Sequence, residues 1–195
     1  MSTVPLQPHT NLRERLLDAA EQVVARDGVN SLTLTAVADE AGVSKGGLLY
    51  HFPSKSALVV AVVERLATAC DAETAKAIDA GGDEPGRFTR AYLTARLAPP
   101  DPKDEPIHTA LLAAAGTDPQ YLDPFRRRHV EWQKRLENDN IDPTIATIVR
   151  LAIDGFCFST MLGMPVPQDP LRKDVIEKLM AMTHPANDPT TKPNK

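Results

Sequence analysis

Residues 33–58 read TLTAVADEAGVSKGGLLYHFPSKSAL, and this stretch decides the fold. Thr33 has the side chain of a helix N-cap, and Val37, Ala38 and Ala41 follow at the spacing of one buried helical face. Gly42 breaks that helix by tolerating turn geometry that a β-carbon resists. Two residues on, Ser44 can cap a second short helix that runs to about His51, with Leu48 and Phe52 facing a core. Pro53 and Ser54 then open a long helix. In it Ala57, Leu58, Ala61, Val62, Arg65 and Leu66 recur at helical spacing up to about Ala80.

Two short helices joined by a tight turn make a helix-turn-helix arrangement, whose second helix enters the DNA major groove. Such a pair cannot bury its apolar face alone, so it needs the helices on either side. Upstream, Asn11 and Glu14 have the spacing of a capping box, Leu12, Leu16, Ala20 and Val23 share a face, and Gly28 supplies a stop. Downstream, Gly81, Gly82, Pro85 and Gly86 end the long helix and mark a domain boundary. Further helices are expected at about 87–98, 106–116, 119–138, 143–163 and 170–183. They are separated by PPDPKDEP (99–106), the Asp118–Pro119 step, residues 138–143 and GMPVPQDP (163–170).

The expected architecture is all-α. A flexible arm at 1–10 leads into a three-helix DNA-binding domain at 11–56 and a larger helical ligand-binding and dimerisation domain at 57–184, with a linking helix at 54–80 and a flexible tail at 185–195. No strand pattern or internal repeat competes with this.

Composition agrees with a helical protein, with 42% hydrophobic, 25% charged and 5% aromatic residues. The longest apolar run, Ala57 to Val63, is about two helical turns, and the N-terminus MSTVPLQPHT lacks a secretory pattern; a cytoplasmic protein outside the membrane is expected. Cys70 and Cys157 match no metal-ligand or CxxC spacing and read as buried thiols. Neither a metal nor a cofactor is expected. The net charge of −4 argues at face value against a nucleic-acid binder. Its distribution reverses the argument: no Asp or Glu lies between Ala41 and Val63, while Lys45, His51 and Lys55 all do. A locally positive face on an acidic chain suits phosphate contact at one place.

With Thr33, Val37-Ala38, Ala41-Gly42-Val43-Ser44, Gly46, Leu48, His51-Phe52, Lys55 and Leu58 all in register, residues 11–66 resemble the DNA-binding domain of the TetR/AcrR family of bacterial regulators. The resemblance implies DNA contacts from Thr33 and Thr35, from Ser44, Lys45, Gly46, Gly47, Leu49, Tyr50 and His51, and from Lys55. Many members carry a tyrosine where this chain has Leu49, and the arm preceding the first helix, often basic in the family, has no Lys or Arg before Arg13. The chemistry of the residues agrees with the implied role: bare backbone at Gly46 and Gly47 permits close approach, and Lys45, Tyr50, His51 and Lys55 can reach phosphates or base edges.

The resemblance further implies a ligand-responsive regulator, for the most part a repressor, that binds a palindromic operator as a homodimer. The dimer would form through helices about 143–163 and 170–183, each of which carries an apolar stripe. A small, hydrophobic effector is expected among Phe88, Tyr92, Leu112, Phe125, Trp132, Phe156, Phe158 and Met161, residues that read equally as plain core. Trp132 and Tyr92 have polar tips that need a partner when buried. The run Arg126-Arg127-Arg128-His129 reads either as a solvated face or as a place for an anionic group. Two other classes stand beside the regulator, a protein-interaction module and an all-helical enzyme. The absence of HExxH, GxSxG, P-loop and GxGxxG patterns speaks against the enzyme.

Overall fold

The structure is a computed structural model and describes residues 11–79, 83–98 and 118–184. The arm, the tail and the helix expected at 106–116, with Leu112, lie outside the described residues. Every regular element among those residues is helical: α1 Leu12–Asp27, α2 Leu34–Ala41, α3 Lys45–His51, α4 Lys55–Asp79, α5 Arg87–Leu97, α6 Asp123–Glu137, α7 Pro143–Met161 and α8 Leu171–Met182. The segment expected as one helix from 119 begins instead as a 3-10 turn, Pro119–Leu122, capped by Asp118, and becomes α-helical at Asp123. The described residues fall into two compact units, one of 11–65 with 118–124 and one of 66–98 with 125–184, so the boundary lies inside α4.

In the first unit, Asn11 caps α1 by accepting from the Arg13 amide at 3.1 Å. The reciprocal half of the expected capping box does not form. Glu14 faces the guanidinium groups of Arg13 at 3.3 Å and Arg65 at 3.6 Å, where charge attraction outweighs a bond to its own backbone. Gly28, with φ 79°, closes α1 by donating its amide to Val24. Leu16, Ala20 and Val23 of α1, Val37 and Ala38 of α2, Leu48 of α3, Phe52, and Leu58 of α4 bury together. Four arginines hold the unit from its rim. Arg65 of α4 reaches Asp18 at 2.7 Å and Glu21 at 2.8 Å on α1. Arg15 donates to the Ala41 carbonyl at 2.9 Å, Arg26 meets Glu40 at 2.8 Å, and Arg13 lies 5.4 Å over the Phe52 ring.

In the second unit, Phe88, Tyr92 and Leu93 of α5 pack with Trp132 and Leu136 of α6, Ala146, Val149 and Ile153 of α7, and Leu179 of α8. Asp139, between α6 and α7, closes this core. Its carboxylate accepts from the Phe88 amide at 2.9 Å, the Thr89 amide at 2.7 Å and the Thr89 hydroxyl at 2.6 Å, so it satisfies the first turn of α5 from a distance. Gly86 sits beside it with φ +80°, and a β-carbon there would stand 2.5 Å from the Thr183 carbonyl oxygen.

The helix α7 departs from the expectation that no segment is long and apolar enough to span a bilayer. Its 19 residues reach a mean hydropathy of 1.3, and only 17% of that window is buried. A search for unbroken apolar runs passes over it because Arg150 and Asp154 interrupt the sequence; in the structure they pair at 3.0 Å.

Candidate nucleic-acid interface and ligand site

The turn between α2 and α3 is built from backbone requirements. Gly42 takes the left-handed conformation, with φ 65° and ψ 38°, and the Val43 amide reaches back to the Ala38 carbonyl at 3.0 Å. Thr33 caps α2 through the Ala36 amide at 3.1 Å, and Ser44 caps α3 through the Gly47 amide at 3.1 Å. With Leu48 and Phe52 anchored inside, α3 turns Lys45, Gly46, Leu49 and Tyr50 outward. Tyr50 is 85% exposed, and the one ring it meets among the described residues is that of its neighbour His51, at 5.1 Å. Thr35 is exposed on the first turn of α2, and Lys55 opens α4.

The electrostatics of this face follow from the arginines. Arg13, Arg15, Arg26 and Arg65 are engaged with carboxylates or a carbonyl of their own unit. Among the described residues neither Lys45 nor Lys55 has an ion-pair partner, and α3 has no acidic residue to neutralise them. Positive charge is thus left available on one side of a unit that is internally compensated elsewhere.

Gly46 and Gly47 are informative because the fold itself does not require glycine there. Both lie inside α3 with ordinary helical backbone, and an added β-carbon would meet only the Ser44 hydroxyl, at 3.9 and 3.5 Å. Glycine in a helix costs about 0.5–1 kcal/mol relative to alanine. No contact within the described part of the unit accounts for that cost.

In the second unit the expected ligand residues separate. Phe88, Tyr92 and Trp132 come together, with centroids 6.4 Å apart for the first pair and 5.8 Å for the second, and Phe125 packs against them. Phe156 instead lines a cavity of about 230 Å³ between α7, residues 165–167 and α8, with Arg172 stacked 5.4 Å above its ring. Phe158 is 45% exposed, and neither it nor Met161 joins the aromatic cluster.

The polar tips of the cluster find acids that sequence reading did not single out. Trp132 Nε1 donates to Asp71 at 2.6 Å, and the Tyr92 hydroxyl donates to Asp154 at 2.6 Å. Burial first, then the Asp154 charge, pushes the Tyr92 phenol well above its ordinary value, so it remains a donor. Burial also works to raise Asp154. Hydrogen bonds with His129 and Tyr92 and the charges of His129 and Arg150 outweigh it and hold the carboxyl below its ordinary value. The basic run divides: Arg126 and Arg127 are exposed, Arg128 pairs with Asp71 at 2.7 Å, and His129 lies 5.0 Å from the Trp132 ring. Cys70 and Cys157 are partly rather than fully buried.

A capped helix-turn-helix with an uncompensated positive face, followed by an all-helical unit with an aromatic centre, defines a two-part DNA-binding regulator. Comparison with known proteins gives the family. A model described as "Bacterial regulatory proteins, tetR family" matches residues 16–62, and one described as "Tetracyclin repressor-like, C-terminal domain" matches residues 86–184. The chain belongs to the TetR family.

Over 70 residues it is 39% identical to the transcriptional repressor KstR of Mycolicibacterium smegmatis, a match covering 36% of this chain and 34% of that one. Over 54 residues it is 41% identical to the regulator RutR of Escherichia coli, covering 28% and 26%. These matches span about a third of the curated relatives' length or less. Among solved structures, the multidrug binding protein EbrR complexed with ethidium is similar at a TM-score of 0.65 and 26% identity, covering 89% of this chain and 99% of that one. A TetR-family member from Streptomyces coelicolor A3 is similar at 0.63 and 27% identity, covering 88% and 98%.

Proposed function

We propose that this protein is a ligand-responsive transcriptional repressor that acts in the cytoplasm, binds a palindromic operator as a homodimer, and releases it when a small, largely apolar effector occupies the second unit. The observation that carries the reading is the outward face of α3. It offers Lys45, bare backbone at Gly46 and Gly47, and an 85% exposed Tyr50, with Lys55 at the start of the next helix and no carboxylate on α3. Thr33, Thr35, Ser44, Leu49 and His51 complete the contact set, with phosphate bonds fixing register and the α3 side chains reading bases.

Dimerisation is supported by apolar residues left in water. Ile148, Leu151 and Phe158 of α7, with Leu171 and Val175 of α8, are exposed and recur at helical spacing. Two copies joined there would present two α3 helices to grooves about one DNA turn apart. The effector half of the reading is supported by the cluster of Phe88, Tyr92, Phe125 and Trp132, and by the description of EbrR as a multidrug binding protein. Phe156, Phe158 and Met161 stand outside that cluster; Phe156 lines the cavity against α8 and Phe158 is exposed on α7. An effector can release DNA only by binding one dimer state more tightly than the other.

The test is footprinting of DNA flanking the protein's own gene, with the full chain, across a range of salt. The expected result is a palindromic protected site whose affinity falls steeply with salt. If no promoter gives salt-sensitive protection, the repressor reading fails and an interaction module takes its place.

A further inference from the structure

Arg96, on α5, is a partly buried arginine of the second unit's aromatic centre whose charge meets no acid among the described residues; Arg135, 4.0 Å over the Phe88 ring, is exposed. Its guanidinium carbon lies 4.8 Å over the Tyr92 ring and 4.6 Å over the Trp132 ring. Among the described residues, no carboxylate or carbonyl accepts a hydrogen bond from it. The two acids nearest these rings are committed elsewhere: Asp71 to Trp132 Nε1 and Arg128, Asp154 to the Tyr92 hydroxyl, Arg150 and His129. The remaining polar neighbours are the Tyr92 hydroxyl, which accepts from Arg96, and the thiols of Cys70 and Cys157; burial pushes the Cys157 thiol above its ordinary value.

The two ring contacts and the Tyr92 hydroxyl fix the guanidinium, whose other N–H donors remain for a ligand. A partly buried arginine fixed in this way is preorganised for a planar, bidentate acceptor. An apolar body would lie against partly buried residues of the same core, Leu97 and Phe125 among them.

We infer that the effector site of the second unit is selective for an anionic ligand, a small apolar carboxylic acid whose carboxylate pairs with Arg96 beside the Tyr92 and Trp132 rings. The inference rests on the proposed ligand-responsive reading and specifies the charge of the effector. It also places anion capture at Arg96 rather than at the run Arg126-Arg127-Arg128-His129.

Trp132 is the chain's only tryptophan, so its emission reports on the site directly. The full chain is titrated with octanoate and benzoate, and with octanamide and benzamide, at fixed ionic strength. The expected result is a saturable change in emission with at least one acid and binding at least about tenfold weaker for the matched amide. Arg96→Gln should remove that preference by weakening the acid to the level of its amide, and Arg96→Lys should retain part of it. Equal binding of acid and amide, no saturable change with either acid, or full acid binding by a folded Arg96→Gln protein overturns the inference. Should Arg96→Gln fail to fold, the wild-type contrast of acid and amide together with Arg96→Lys decides. Because emission is read without DNA, the two readings can fail separately. Acid binding without operator binding at any promoter would sink the repressor, while operator release by neutral or cationic compounds alone would sink the anionic site.

Discussion

In the unit that carries α1 to α3, the arginines are turned onto the unit itself, and the outward face depends on two lysines and on side chains that are missing. In the unit that carries α5 to α8 the arrangement is reversed: acids are bound to aromatic tips, and Arg96 lies over two rings without an acid of its own among the described residues. The first unit is therefore specified by short-range backbone chemistry and leaves uncompensated charge on its outer face. The second is specified by contacts that close across long stretches of chain, and its chemistry sits inside.

The sharpest way to break this contrast is at Gly86. Its φ of +80° and the 2.5 Å approach to the Thr183 carbonyl leave no room for a side chain. Gly86→Ala should destabilise the second unit by about 2–4 kcal/mol, read by thermal melting, because both the backbone and the neighbouring carbonyl would have to move. A variant that melts like the wild type would show that closure around α5 is not what defines the unit.

Asp154→Asn comes next. It removes a charge-assisted acceptor from Tyr92 and a partner from Arg150, at a side chain 13% exposed, and should cost about 1–3 kcal/mol near neutral pH. The sign of the pH dependence follows from the carboxyl lying below its ordinary value of 3.8 in the folded protein. The stability it contributes is fully present above that value and is lost below it, as pH falls through the lower folded-state value. Urea unfolding should thus separate wild type from variant at about pH 7, and the difference should narrow progressively as pH falls below about 4.

Two smaller effects sharpen the other half of the comparison. Gly46→Ala and Gly47→Ala should each raise stability by about 0.5–1 kcal/mol while weakening operator binding by about tenfold or more, measured by melting and by gel shift. Loss of stability together with affinity would mean that the glycines serve the fold after all. Lys55→Ala should weaken binding to all sequences alike and lower the slope of log affinity against log salt by about 1. Lys45→Ala should alter the preference among sites.

How far each unit could be read in advance follows the same division. Thr33, Gly42 and Ser44 act on backbone within three or four residues of themselves, so their roles were legible, as were the inward positions of Leu48 and Phe52. Arg65 was not, because it sits at helical spacing with apolar residues and its partners Asp18 and Glu21 lie 47 and 44 residues away. The need of Trp132 and Tyr92 for polar partners was legible from their chemistry. The partners themselves were not, since Asp71 and Asp154 are 61 and 62 residues distant and nothing local marks them. Arg96 gave no signal for the same reason: a cation recognised by two ring faces has no spacing rule.

The carboxylate-free stretch from Ala41 to Val63 has a consequence at the bench. A chain with pI 5.7 is retained on an anion exchanger at neutral pH, as its overall composition requires. A resin bearing sulfated polysaccharide sees only the local surface. The same protein should also be held there, through Lys45 and Lys55, and elute with modest salt, so that one preparation adheres in turn to columns of opposite sign.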